Sequence, residues 1–265
     1  MSSAPGHAAA PLVRAPEEAG AATSSPVVVV PGRVEEALKA WSARELSRAA
    51  REMLVAGPAV AVKLQHLRPY ICPFEKIMVH VPRGSRVLDV GCGRGLLLGL
   101  LERAGLLDRA GARASVGFDL ARSSVASGRR LARRTRATTH LRFEHRDAAH
   151  TWPGGDGEFD VVTIIDVMHH VPQSIRRGLL WQAAARLRPG GRLIYKDMTA
   201  RSWRSMFNTM HDLAVARELV RYTPVATIEQ WAAGKGGAGL KLERAEDFDV
   251  LWYGHEMRVF AKPLR

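Results

Sequence analysis

The chain has 265 residues, enough for one well-cored α/β domain with a small accessory piece. Its formal net charge of +13 points toward anionic partners, but arginine and alanine are abundant throughout, which dilutes that signal. Two cysteines, Cys72 and Cys92, exclude a disulfide framework and lack metal-ligand spacing, and no run reaches the ~18 apolar residues of a membrane span, so a reducing cytoplasm is expected.

Residues 1–32, rich in Ala, Pro and Ser and without a signal-length apolar core, read as a disordered tail. Residues 33–81 read as an N-terminal helical cap. Ala37, Trp41, Leu46, Ala49 and Leu54 recur at helical spacings, and a second helix spans about 59–67. "RPYICPFEKIMVHVPRG" then leads through Pro73 and Pro82 into a first strand.

From residue 82 to 265 strands and helices alternate. "RVLDVG" is a buried strand, "LLLGLLERAG" a helix, "ASVGFDL" a second strand and "ARSSVASGRRLARRT" a basic helix. "LRFEHRD" is a third strand, "FDVVTIIDVMHHV" a fourth, "SIRRGLLWQAAARL" a helix, and "PGGRLIYKDM" a turn feeding a fifth strand. A helical insertion over about 199–223 places Arg201, Arg204, Asn208, His211 and Asp212 on one face and Trp203, Met206, Phe207, Met210, Leu213 and Ala214 on the other. After a shorter helix, "LKLERAEDFDV" and "GHEMRVFAKP" follow as strands with no helix between them, which requires an antiparallel pair. The expected fold is α/β: a doubly wound, mostly parallel seven-stranded sheet with an antiparallel C-terminal edge pair, plus the helical cap.

The glycine-rich turn "VLDVGCGRG" is the strongest local motif. A phosphate-cradling P-loop needs G-x-x-x-x-G-K-[ST], and no such lysine is present. The dinucleotide fingerprint places a third small residue where Leu96 stands; here the glycines run Gly91, Gly93, Gly95. Asp89, two residues before the first glycine, would repel a pyrophosphate and receive an ammonium. Asp119 ends the second strand, where a carboxylate accepts ribose hydroxyls, and Asp147 ends the third, within reach of an adenine amine. The ligand that suits this set is S-adenosyl-L-methionine.

With these residues in place the sequence resembles the Rossmann-like, seven-stranded S-adenosylmethionine-dependent methyltransferases of the bacterial small-molecule type. The motifs are "VLDVGCGRG", "VGFDLA", "HRDAA", "FDVVTIIDVMHHVP" and "LRPGGRLIYKDM", in order from about Pro82 to Met198. The resemblance implies that Gly91, Gly93 and Gly95 admit the methionine moiety, that Asp119 with Leu120 holds the ribose side, and that Asp147 with Ala148 holds the adenine. It also implies that Asp166 and Met168 line the floor beneath the sulfonium. Arg68 or Tyr70 of the cap would meet the cofactor carboxylate. Asp160 reads as a turn residue at a strand start, and Cys92 as a packing residue.

Methyl transfer to oxygen calls for an aligned nucleophile and a base within hydrogen-bond reach. His169, His170, Asp197 and His211 are the candidate catalytic residues, with Tyr253 and His255 a further pair. Asp166 and Asp197 stand where catechol-type relatives keep metal ligands, but Met198 replaces the amide expected next, so no metal is expected. The activity expected is O-methylation of a small natural-product, quinone-like or lipid acceptor. RNA or protein methylation is the alternative, favoured by the basic run Arg129 to Arg136; a non-catalytic cofactor-binding protein is a third. The acceptor and the oligomeric state stay open.

Overall fold

The computed structural model describes residues 41–55, 57–111, 113–199, 222–251 and 253–264. The proposed tail, the cap before Trp41 and nearly all of the 199–223 insertion, including His211, lie outside the described residues.

The cap begins with α1 (Ala43–Met53), whose start is written in its sequence. Ser42 and Glu45 form a reciprocal capping box: the Ser42 hydroxyl accepts from the Glu45 backbone N–H at 3.3 Å, and the Glu45 carboxylate accepts from the Ser42 N–H at 2.8 Å. Replacing Ser42 by alanine is expected to cost about 1 kcal/mol, seen as a lower urea midpoint with an unchanged slope. Leu46, Ala49, Ala50 and Met53 line the buried face of this helix. Helix α2 (Ala59–Leu67), a 3₁₀ turn (Arg68–Tyr70) and α3 (Phe74–Met78) complete the cap.

The alternating pattern then gives β1 (Val87–Val90), α4 (Leu96–Arg103), β2 (Ser115–Asp119), α5 (Arg122–Arg134), β3 (Leu141–His145), β4 (Phe159–Ile165), α6 (Gln173–Arg186), β5 (Leu187–Met198), α7 (Val225–Ala233), β6 (Lys241–Val250) and β7 (Tyr253–Ala261). The seven strands form one sheet in the order β3-β2-β1-β4-β5-β7-β6. β1 to β5 are parallel, whereas β7 runs antiparallel to both β5 and β6. The fourth strand is shorter than its apolar run: it stops at Ile165, and Met168–His170 form a 3₁₀ turn.

Alternation along the strands feeds two cores. Val87, Ile194, Met257 and Val259 face the cap helices α1 and α3 together with α4 and α5, while Leu88, Val90, Leu193, Tyr195 and Phe260 face α6 and α7. β6, at the sheet edge, is half exposed and studded with charges such as Lys241, Glu243, Arg244 and Glu246, which discourages edge-to-edge pairing. The strand order reverses at β1, between β2 and β4, so the crevice at the carboxyl ends of β1 and β4 is the switch point where such sheets bind ligands.

Candidate active site

The turn leaving β1 is built to come close to whatever lies above it. Gly91 has φ +63°, and a Cβ there would fall 2.6 Å from Val167 Cγ2, so both conformation and space exclude a side chain. At Gly93 (φ +52°) a Cβ would meet only the Arg68 guanidinium, at 4.0 Å. The turn is moored to the next strand: Asp119 Oδ2 accepts the Gly93 N–H at 2.9 Å and Oδ1 the Ala121 N–H at 2.7 Å. Asp119 thus shapes the loop and keeps a second lone pair on each oxygen for a ligand. Gly95 opens α4 at φ +84°.

Asp147 accepts the Ala149 N–H at 2.8 Å, and the Ala148 carbonyl accepts the Trp152 indole N–H. Leu120 is exposed beside Asp119. Asp89 is buried at 3% exposure with one oxygen accepting the Thr163 hydroxyl at 2.7 Å. Burial pushes its carboxyl up to about 7; the Thr163 hydrogen bond and Arg68 act against that rise. A cleft of about 20 Å³ separates Asp89, Gly91 and Cys92 from Arg68 and Phe74 of the cap, room for about one water molecule.

Asp166 and Met168, the residues expected to form the floor beneath the sulfonium, follow the end of β4. Asp166 sits at φ +55°, and its carboxylate accepts from Lys196 Nζ at 2.7 Å and from Arg68 at 3.4 Å. Burial opposes its ionisation, but the two cations outweigh burial and hold the carboxyl well below the usual range. Met168 is fully buried in the core facing α6 and α7. Lys196 itself is 1% exposed, and Asp166 keeps it charged against desolvation. A lone lysine in a strand pattern gave no sign of this buried pair.

The adjacent histidines part company. His169 is buried and its Nδ1 is hydrogen-bonded to Asp197 Oδ1, while its backbone N–H donates to Asp197 Oδ2 at 3.2 Å. His170 is exposed, its ring 4.1 Å from that of His169. Tyr222 lies 5.5 Å from the His169 ring. Arg176, also unmarked in the sequence, is buried in α6 and donates to the carbonyls of Val171 at 2.7 Å and His169 at 3.4 Å, clamping the turn. Lys196 and Asp197 are neighbours on β5, so Asp166 and Asp197 are drawn to opposite faces of the sheet.

Asp160 is a strand residue that accepts the Arg86 N–H at 2.7 Å and pairs with Arg188, tying β1 and β5 to β4; its place before an apolar run concealed that role. Cys92 is buried, which raises its thiol well above its ordinary value, as suits a packing residue. Tyr70 is 38% exposed, whereas Arg68 and Phe74 of the cap line the cleft. Tyr253 and His255 are both buried, with rings 6.4 Å apart. Among the described residues no helix is long and apolar enough to cross a membrane.

This sheet order, with a glycine turn after β1 and acids at the carboxyl ends of β1, β2 and β3, is the Rossmann-like methyltransferase fold. A family model for the methyltransferase domain matches residues 63–242, and the chain belongs to that family. It is 31% identical over 171 residues to the 27-O-demethylrifamycin SV methyltransferase of Amycolatopsis mediterranei, covering 64% of this chain and 59% of that one. It is 33% identical over 140 residues to a ubiquinone biosynthesis O-methyltransferase of Xanthomonas campestris, covering 51% and 52%. The chain therefore spans little more than half the length of these relatives. Among solved structures, Burkholderia thailandensis 1,6-didemethyltoxoflavin-N1-methyltransferase, with its substrate and S-adenosylhomocysteine bound, superposes with a TM-score of 0.59 at 17% identity, covering 84% of this chain and 91% of that one.

Proposed function

We propose that this chain is an S-adenosylmethionine-dependent O-methyltransferase for a small-molecule acceptor, with His169 and Asp197 as its proton-accepting pair. The observation that carries the reading is the buried His169–Asp197 pair at the carboxyl ends of β4 and β5, beside a glycine turn flanked by three acids. The O-methyltransferase relatives support the oxygen acceptor.

The residues fit an adenosine-bearing sulfonium better than a pyrophosphate. Asp89, Asp119 and Asp147 face the switch-point crevice, and the described part of the turn has no lysine for phosphate. Asp119 would accept the ribose hydroxyls, Asp147 and Ala148 would hold the adenine, and Asp89 the ammonium, with Arg68 turning from Asp166 toward the carboxylate. When bound, the cofactor supplies a methyl group made electrophilic by its sulfonium. Asp197, accepting from Nδ1–H, fixes the His169 tautomer so that Nε2 takes the acceptor's hydroxyl proton, and it stabilises the imidazolium that results.

Asp89 gives the reading a pH signature. Its folded pKa of about 7 lies above the unfolded value of about 3.9, so the folded state holds this proton more tightly. Its contribution to stability is complete below about pH 4 and is lost as pH rises through 7. Ammonium binding needs the ionised form, so the sign for the ligand is opposite. Affinity for S-adenosylhomocysteine should rise about tenfold from pH 6 to pH 8, and Asp89→Asn should flatten that rise. A wild-type profile flat across this window, measured by titration calorimetry, would remove Asp89 from the ligand site.

RNA or protein methylation remains the rival reading, and the geometry weakens it. On α5, Arg129 donates to the Phe143 carbonyl, Arg134 to the Glu52 carbonyl and Arg130 to Ser127. Binding to bulk RNA that strengthens steeply as salt is lowered would favour it. A cytoplasmic setting is part of the proposal, since Cys72 and Cys92 are both free thiols.

A further inference from the structure

Asp166 is met by two cations of unequal hold. Lys196 Nζ donates to Oδ1 at 2.7 Å, and Arg68 Nη2 donates to Oδ2 at 3.4 Å. The lysine side chain is 1% exposed and the arginine side chain 31%, so water screens the Arg68 contact more strongly. Arg68 opens the 3₁₀ turn of the cap, where the N–H groups of Ile71 and Cys72 donate to its carbonyl at 3.0 and 2.8 Å. Its backbone is therefore fixed while its head group reaches the glycine turn: Nη1 lies 4.0 Å from where a Cβ on Gly93 would stand.

Stability alone does not call for a lysine at position 196. It stands opposite Met257 in the β5–β7 register, on the face that packs into the apolar core beneath the cap. A buried ion pair there is often no more stabilising than apolar side chains of the same volume. What Lys196 changes is the charge around Arg68. Two acids lie near that guanidinium: Asp166 and, across the cleft, Asp89. Asp89 is engaged by the Thr163 hydroxyl and is assigned above to the ligand's ammonium. Without Lys196, Asp166 would be a buried carboxylate with Arg68 as its counter-ion, and such a carboxylate holds its cation tightly. With Lys196 in place Asp166 is already neutralised. Lys196, Asp166 and Arg68 together then carry one surplus positive charge beside the glycine turn.

We infer that Lys196 is a positioning residue for the amino-acid end of the cofactor: by occupying Asp166 it leaves Arg68 available to the ligand's carboxylate. The inference rests on the methyltransferase reading above. The carboxylate brings the missing negative charge, and a guanidinium with only a long contact to Asp166 exchanges it for a bidentate one at small cost. An adenosine ligand without an amino-acid end gains nothing from this arrangement. That difference separates Lys196 from a residue that only holds the fold.

Two ligands test this by calorimetric titration into the full chain: S-adenosylhomocysteine, and 5′-methylthioadenosine, which keeps the adenosine and lacks the amino-acid end. Lys196→Met should weaken S-adenosylhomocysteine at least about tenfold, the worth of one charge pair, and leave 5′-methylthioadenosine within about twofold of wild type. Arg68→Ala should show the same selective loss. Adding Lys196→Met to it should weaken S-adenosylhomocysteine no further, because Lys196 acts through Arg68. Combining Lys196→Met with Asp166→Asn removes the buried pair as a unit and should bring S-adenosylhomocysteine back to within about threefold of wild type. That double variant keeps the test decisive if Lys196→Met alone does not fold. Three results would overturn the inference: an unchanged preference between the two ligands in Lys196→Met, a further loss on adding it to Arg68→Ala, or no recovery in the Asp166→Asn combination. If S-adenosylhomocysteine fails to bind the wild-type chain, the methyltransferase reading falls; if it binds and Arg68→Ala leaves the preference unchanged, only the role of Lys196 falls.

Discussion

Asp197→Asn should lower kcat by about 10³-fold while leaving S-adenosylhomocysteine affinity within about twofold of wild type. The carboxylate makes two bonds to one residue, to the His169 ring and to its backbone N–H. Asparagine matches the shape, but its amide group can donate to Nδ1 and so leave the proton on Nε2. The imidazole would then have no lone pair for the acceptor's proton, and no carboxylate would balance the imidazolium. His169→Gln should fall into the same range, and the double variant should be little worse than either single one, because the two act as a unit. Single-turnover measurements check this directly. An unimpaired Asp197→Asn enzyme would leave the pair with a structural role only.

The second large effect belongs to Asp119. Asp119→Ala should weaken S-adenosylhomocysteine binding by at least about 100-fold, since it removes a charged acceptor worth about 1.5–3 kcal/mol per hydrogen bond. It also frees the Gly93 and Ala121 N–H groups, which its two oxygens hold at 2.9 and 2.7 Å. The loop loses its mooring to β2 along with its ribose partner, so the thermal midpoint should drop as well. Asp119→Asn keeps one acceptor and should fall between the two in calorimetry. Undiminished affinity in Asp119→Ala would place the adenosine elsewhere.

Much of the sheet was legible because its information is local. Buried runs such as Val87–Val90 and Phe159–Ile165 read as strands, the helices between them read by their period, and two consecutive strands without a helix implied the antiparallel pair. The acids at strand ends could be placed for the same reason, because a strand's end in sequence is also its end in space. The limits were equally physical. The apolar run that continues through "DVMHHVP" hid the end of β4, because a left-handed Asp166 followed by a 3₁₀ turn leaves no periodic trace. Which histidine turned inward depended on that turn. Thr163 under Asp89, and Arg176 beneath the turn, are ordinary residues in their local patterns.

By itself, then, the sequence determined the order of strands and helices, the glycine turn, and the acids that end β1, β2 and β3. These depend on backbone conformation and on burial period, which neighbouring residues set. Only the tertiary structure decided that His169 rather than His170 meets Asp197, 28 residues away, and that Arg68 meets Asp166 across 98. It likewise buried Lys196 against Asp166 and brought Glu256 opposite Asp197. Side-chain partnership across strands is set by register and by the turns between them, and a charged side chain in a strand carries no mark of the partner that will allow it to be buried.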